Sequence, residues 1–258
     1  MKKPILRIRP FLLMGAAILV FSCSKDDDNG STETQVSQNE LNTVLQTDEI
    51  SGIADDVIRD VIDNGYTAKS SGNETCYVAD WMETGYSIAF DNCKEGGKNL
   101  NGSLSVVFKE EGGSYAYTVT YDELTVGDIE LRGTRTIVFG GEENSLVMDV
   151  TSDLSLTMGD GKVISEKGVK RIALIIGADS SRVTVDGDWV VGIDSNTYTV
   201  SIPKVLETQI GCEYVGKGNM TLGKNGLEVF VDFGDGSCDD VAELEYPDGT
   251  KETISLKE

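Results

Sequence analysis

From about Cys76 onward, apolar residues recur at every second position. Leu104, Val106 and Phe108 fall on even numbers, and Tyr115, Tyr117, Val119 and Tyr121 on odd ones. Ile129, Leu131, Gly133, Arg135, Ile137 and Phe139 form a long, imperfect odd set. Leu146, Met148, Val150, Leu154, Leu156 and Met158 alternate with Asp149, Thr151, Asp153, Ser155 and Thr157. Val183, Val185, Trp189 and Val191 alternate again, as do Tyr198, Val200 and Ile202. Turn signals separate these runs: Glu111-Gly112-Gly113, Gly140-Gly141-Glu142, Gly159-Asp160-Gly161, Asp194-Ser195-Asn196 and Pro247-Asp248-Gly249. Period two means one buried and one wetted face, which is the habit of antiparallel sheets. The pattern predicts about eleven or twelve strands. Several are longer than the usual five or six residues. The fold expected is mainly β: a large antiparallel meander, curved or half-closed like part of a barrel.

Ahead of the strands the period is helical. Ser37-Gln38-Asn39-Glu40 has the form of a capping box before Leu41, Val44 and Leu45. Ile50, Ile53, Val57, Val61 and Ile62 continue the stripe, and Asn64-Gly65 ends it. Asp60 and Asp63 sit near the C-terminal end, where they oppose the helix dipole at a cost of tenths of a kcal/mol. This short lead is expected to pack on the protein's own core.

The first 22 residues have a different character. Lys2, Lys3, Arg7 and Arg9 are followed by the uncharged, mostly apolar run Phe11 to Phe21. At about eleven residues the run is too short to span a bilayer and suits an export signal. Ser22 and then Cys23 follow, with Phe21 at a position more often small. The arrangement resembles a lipobox, where signal peptidase II cuts ahead of a cysteine that carries lipid, palmitate included. Lys25-Asp26-Asp27-Asp28 comes next, and a lysine followed by acids resembles the surface-export signal of Bacteroidota lipoproteins. The expected address is the outer membrane, anchored through Cys23 and displayed at the cell surface, with its periplasmic face as the alternative. The chain divides into a signal peptide (1–22), an acidic tether (23–36) and one domain (37–258), made of the helical lead (37–65) and the meander (75–258).

Loss of residues 1–22 removes four basic residues and no acidic one, taking the net charge from −22 to −26. Such a field repels phosphate backbones, so nucleic acid is not an expected partner. Four cysteines remain: Cys76, Cys93, Cys212 and Cys238. Cys76 and Cys93 bracket one expected strand, Gly85 to Asp91. Cys212 and Cys238 bracket two, Tyr214 to Leu222 and Leu227 to Phe233. In both segments a strand with Phe beside Asp runs into the second cysteine. Local bridges, Cys76–Cys93 and Cys212–Cys238, are therefore expected over the other pairings. Each closes a loop worth about 3–4 kcal/mol of chain entropy.

Chemistry is sparse. The chain has no histidine, which removes Ser-His-Asp and Cys-His nucleophiles, the helical zinc-protease motif and the usual zinc sites. With 44 acidic residues, no carboxylate pair stands out for glycoside hydrolysis. No catalytic residue is assigned. Asp232, Asp235, Asp239 and Asp240 cluster around Cys238 without the ligand spacing of an EF-hand loop. Asp232, Asp235 and Asp239 are weak candidates for Ca2+, the only cofactor considered. Asp186-Gly187-Asp188 suits a tight turn or bulge. Trp189, in phase with Val191, is expected in the core, and Trp81 is the candidate ligand contact.

The run Val231-Asp232-Phe233-Gly234-Asp235-Gly236-Ser237-Cys238-Asp239 resembles a recurring element of uncharacterised Bacteroidota lipoproteins, in which a final hairpin ends in Ile-x-Leu, here Ile254-Ser255-Leu256. Asn92 stands where the pattern has glycine before Cys93. The resemblance implies a fold and a location and adds nothing on catalysis. The export segment, the alternation of wet and dry faces and the lack of a catalytic constellation lead to the expectation of a non-enzymatic function: a tethered module that binds or scaffolds, its partner a glycan, a protein or a hydrophobic ligand. A carrier of lipid in an open β groove is the first alternative, and a carboxylate-dependent glycan hydrolase the second.

Overall fold

A computed structural model describes Leu41, Val44 and residues 76–95, 98–141, 143–178 and 180–257. The export signal, Cys23, the tether and all of the helical lead but Leu41 and Val44 lie outside the described residues. Those two are helical, completely buried, and belong to the same hydrophobic cluster as the sheet's inner face.

The described strands are β1 (Tyr77–Met82), β2 (Gly85–Glu95), β3 (Lys98–Glu111), β4 (Ser114–Val126), β5 (Ile129–Gly140), β6 (Ser145–Thr157) and β7 (Val163–Ile176). They continue as β8 (Ser181–Ile193), β9 (Asn196–Gln209), β10 (Lys217–Lys224), β11 (Leu227–Asp235), β12 (Val241–Glu245) and β13 (Lys251–Ser255). All thirteen form one sheet in which each strand pairs with its neighbours in sequence. Every pairing is antiparallel. No pairing joins β1 to β13 among the described residues, so the sheet is open.

The strand count exceeds the expected eleven or twelve. One expected strand also starts late. Tyr214 and Val215 carry the alternation, but the ladder begins at Lys217. Gly216 N–H instead donates to the Glu207 carbonyl, and the register slips between Lys217 and Asn219.

Tight hairpins follow from turn chemistry. Gly112 and Gly113 link β3 to β4 with φ of 60° and 83°, and Asn225 and Gly226 link β10 to β11 with φ of 50° and 91°. Positive φ at both central positions is the I′ geometry that matches strand twist. Bulges then bend the sheet. One extra residue enters β2 at Asn92 and one enters β4 at Glu123, both with positive φ. A larger slip sets Val185 to Asp188 against Leu206 to Ser201, and Pro203 falls inside it. Proline donates no ladder bond, so a bulge is where a strand tolerates it. Asp186-Gly187-Asp188 lies in this bulge, with Gly187 N–H donating to the Asp186 carboxylate at 2.8 Å.

Register carries the alternation across the sheet. Tyr86, Val106, Val119, Arg135, Ser152, Gly168, Trp189, Val200, Leu222 and Val229 are successive partners in one row. Most of this face is buried in one cluster running from β1 to β13. Both expected bridges are present, Cys76–Cys93 with Cα atoms 5.0 Å apart and Cys212–Cys238 at 5.4 Å. The first pins the start of edge strand β1, where Asp91 N–H also donates to the Cys76 carbonyl at 2.8 Å.

Candidate functional site

Aromatic rings form a row at one end of the inner face. Trp81 on β1 stacks on Tyr86 of β2 with centroids 4.8 Å apart, and Tyr86 meets Phe108 of β3 at 5.7 Å. Phe108 meets Tyr115 of β4 at 5.7 Å, and Tyr115 meets Phe139 of β5 at 5.8 Å. Tyr117 closes on Phe139 at 5.7 Å. Pairing explains the row: Phe108 lies opposite Tyr117, and Glu110 opposite Tyr115, so rings on successive strands become diagonal neighbours. These separations lie in the favourable range for tilted aromatic pairs.

The row is sunk at Tyr86, which is fully buried, and surfaces at both flanks: Trp81 is 39% exposed and Tyr115 51%. Beside it opens a depression of about 460 Å³ lined by Glu83, Thr84, Phe108, Lys109, Glu110, Gly113 and Tyr115. Ring faces, two carboxylates, an ammonium group and a hydroxyl thus meet at one place. Burial, with the neighbouring phenols Tyr117 and Tyr115, pushes the Tyr86 phenol well above the ordinary tyrosine value. Burial also raises the Tyr115 phenol. Trp81, the ligand contact considered in the sequence, lies exposed at the edge of this row. Phe108, Tyr115 and Phe139 join it only once the register is known.

A second group of polar residues lies inside. Glu166 and Lys170 flank Gly168 on β7 and pair at 2.8 Å, both almost fully buried. The Lys170 ammonium also sits 4.4 Å from the centroid of the Trp189 ring. Arg135 and Ser152, opposite each other on β5 and β6, complete the group and are buried too. Ser152 Oγ, Glu166 Oε1 and Trp189 Nε1 have no hydrogen-bond partner among the described residues. Trp189 is in the core as expected, although its surroundings are charged.

The acidic cluster around Cys238 is taken up by its own loops. Asp232 accepts from Gly234 N–H at 2.9 Å, and Asp239 from Val241 N–H at 3.1 Å. Asp235 accepts from the Ser237 hydroxyl at 2.9 Å and from Ser237 N–H at 3.2 Å, which holds its carboxyl below the usual range. Asp240 accepts from the Ser255 hydroxyl at 2.7 Å. Most are acid-to-backbone turns two residues long. Among the described residues, no group of three or more His, Cys, Asp or Glu side chains is disposed to hold a metal ion. Nearby, Glu207 is shared by Arg182 at 3.3 Å and Lys217 at 3.0 Å at the mouth of a cleft of about 160 Å³. Among the described residues no helix is long and apolar enough to cross a membrane.

No protein-family model, curated protein or solved structure matches the chain.

Proposed function

We propose that this chain is a lipid-anchored, extracytoplasmic β module that binds a partner without turning it over, and that the aromatic row is its binding surface. The row carries the reading because ring faces rise into solvent at Trp81 and Tyr115 beside the depression that holds Glu83, Lys109 and Glu110. Exposed rings next to polar groups hold a partner that has apolar faces and hydrogen-bonding edges. Cys23 and Lys25-Asp26-Asp27-Asp28 supply the anchor and the surface address, and residues 37–65 form a helical lead to the sheet.

The test uses the soluble mature chain with Cys23→Ser, titrated with neutral polysaccharides and with extended peptides. Binding by one of these classes is expected, and Trp81→Ala with Tyr115→Ala should weaken it by about tenfold or more with the melting temperature of the sheet retained. Full affinity in the double variant overturns the assignment. In cells, Cys23→Ser should abolish palmitate labelling and release the protein from the membrane.

A hydrophobic-ligand carrier is the second reading, favoured by one observation. Phe139, Met148, Ile172 and Val185 are only half-buried on the inner face, and Leu146 and Ile176 beyond them are 44% and 55% exposed. A lipid co-purifying in native mass spectrometry supports it, and a ligand-free mass counts against it.

A further inference from the structure

The cleft beside Glu207 is built on β8 to β11, apart from the aromatic row on β1 to β5. Glu207, Lys217 and Asp235 are successive partners across β9, β10 and β11, so their side chains share one face. Arg182 of β8 pairs with Gln209, two residues from Glu207 on β9, and lies on that same face. Alternation sets it opposite the face on which Val185 and Leu206 meet the core.

The cleft is fixed by its own bonds. The Cys212–Cys238 bridge ties the loop after β9 to the segment after β11. Gly236 N–H donates to the Gly216 carbonyl at 2.8 Å, and the Gln209 amide donates to the Gly236 carbonyl at 3.4 Å. A site ordered in advance spares a ligand the cost of ordering it. At about 160 Å³ it falls below the roughly 300–1,000 Å³ of pockets for drug-sized molecules, so its occupant is small.

Two of its charged groups have binding capacity left over. The Arg182 guanidinium meets Glu207 Oε2 as an ion pair at 3.3 Å, and its buried Nε has no hydrogen-bond partner. Glu207 accepts its hydrogen bond from the Lys217 ammonium instead, at 3.0 Å. A guanidinium presents a planar fork of donors that suits a carboxylate. Both bonds from Ser237 fall on Asp235 Oδ1, so Oδ2 can accept from a ligand. The charges lining the cleft, Arg182 and Lys217 against Glu207 and Asp235, sum to zero. A simple anion would gain Arg182 but meet two carboxylates and the field of a chain at −22. A zwitterion carries no net charge into that field, and each of its ends finds an opposite partner.

We propose that this cleft binds a small amino carboxylate, a molecule with one ammonium and one carboxylate group, its carboxylate on the Arg182 fork and its ammonium on Asp235. The site has a different chemistry from the rim row and does not rest on it.

The probes are glycine, β-alanine and 4-aminobutyrate, which separate the two charged groups by one, two and three carbons. Each is titrated by calorimetry into the chain carrying Cys23→Ser. One of the three should bind, and its N-acetyl and amide forms, each lacking one charge, should bind about tenfold or more weakly. Arg182→Met and Asp235→Asn should each weaken binding by about tenfold or more with the melting temperature retained, and Arg182→Lys should recover only part of the loss. If Arg182→Met melts early, the exposed Asp235→Asn carries the test. No heat from any of the three, equal binding by a blocked form, or tighter binding of inorganic phosphate or glucose overturns the proposal. Trp81→Ala with Tyr115→Ala should leave this binding intact, so failure at one site is read apart from failure at the other.

Discussion

Glu166 and Lys170 show what a single buried pair contributes. Their side chains meet over Gly168 at 2.8 Å, away from water. Desolvation offsets much of their attraction, so the pair adds little net stability. Breaking it leaves a lone buried charge, at about 3–5 kcal/mol. Lys170→Met should therefore lower stability by that amount in urea denaturation, and Glu166→Leu with Lys170→Met should recover most of it. A double variant as weak as the single would show that Lys170 acts mainly through the Trp189 ring. Tyr86 sets a different limit. Its folded phenol is held neutral by burial and by Tyr117 and Tyr115. That contribution is complete below about pH 10, the unfolded tyrosine value, and is lost as pH rises through the raised folded value. Alkaline denaturation should thus be shallower in Tyr86→Phe than in the parent, measured by circular dichroism with tyrosinate absorbance alongside.

At the level of strands and turns, the alternation of apolar residues was enough to place Leu104, Val106 and Trp189 inside. Register was not legible, because it depends on where extra residues enter. Asn92 and Glu123 look like ordinary polar strand residues, yet each has positive φ and shifts the pairing beyond it. The aromatic row needs that register to bring Phe108, Tyr115 and Phe139 together, so the sequence pointed to Trp81 alone. The acids around Cys238 read in sequence chiefly as a glycine-rich turn, and local hydrogen bonds do take up one oxygen on each of Asp232, Asp235, Asp239 and Asp240. Two glycines separate backbone conformation from crowding. Gly112 has φ +60° in an open turn, so Gly112→Ala should cost about 1–2 kcal/mol. Gly133 has φ +114°, and a Cβ there would lie 2.1 Å from the Asp153 carbonyl oxygen. Gly133→Ala should cost clearly more, and equal midpoints for the two variants in urea would refute the close approach.

For the molecule as a whole, charge and topology matter most. At −22 the chain repels itself, since 44 acidic residues outnumber 22 basic ones and surface ion pairs such as Lys167–Asp153 and Lys251–Glu243 cannot balance them. Raising ionic strength from about 0.01 M to about 0.15 M shortens the screening length from about 30 Å to about 8 Å. The melting temperature should rise across that range, and a fall would mean that attractive pairs dominate instead. The strand order has a separate consequence. Every ladder joins consecutive strands, and both bridges close loops of 17 and 26 residues. Each new strand therefore finds its partner in the stretch delivered just before it, at a small loop-closure cost. A chain that emerges N-terminus first can zip up hairpin by hairpin, with no early strand kept waiting for a late one.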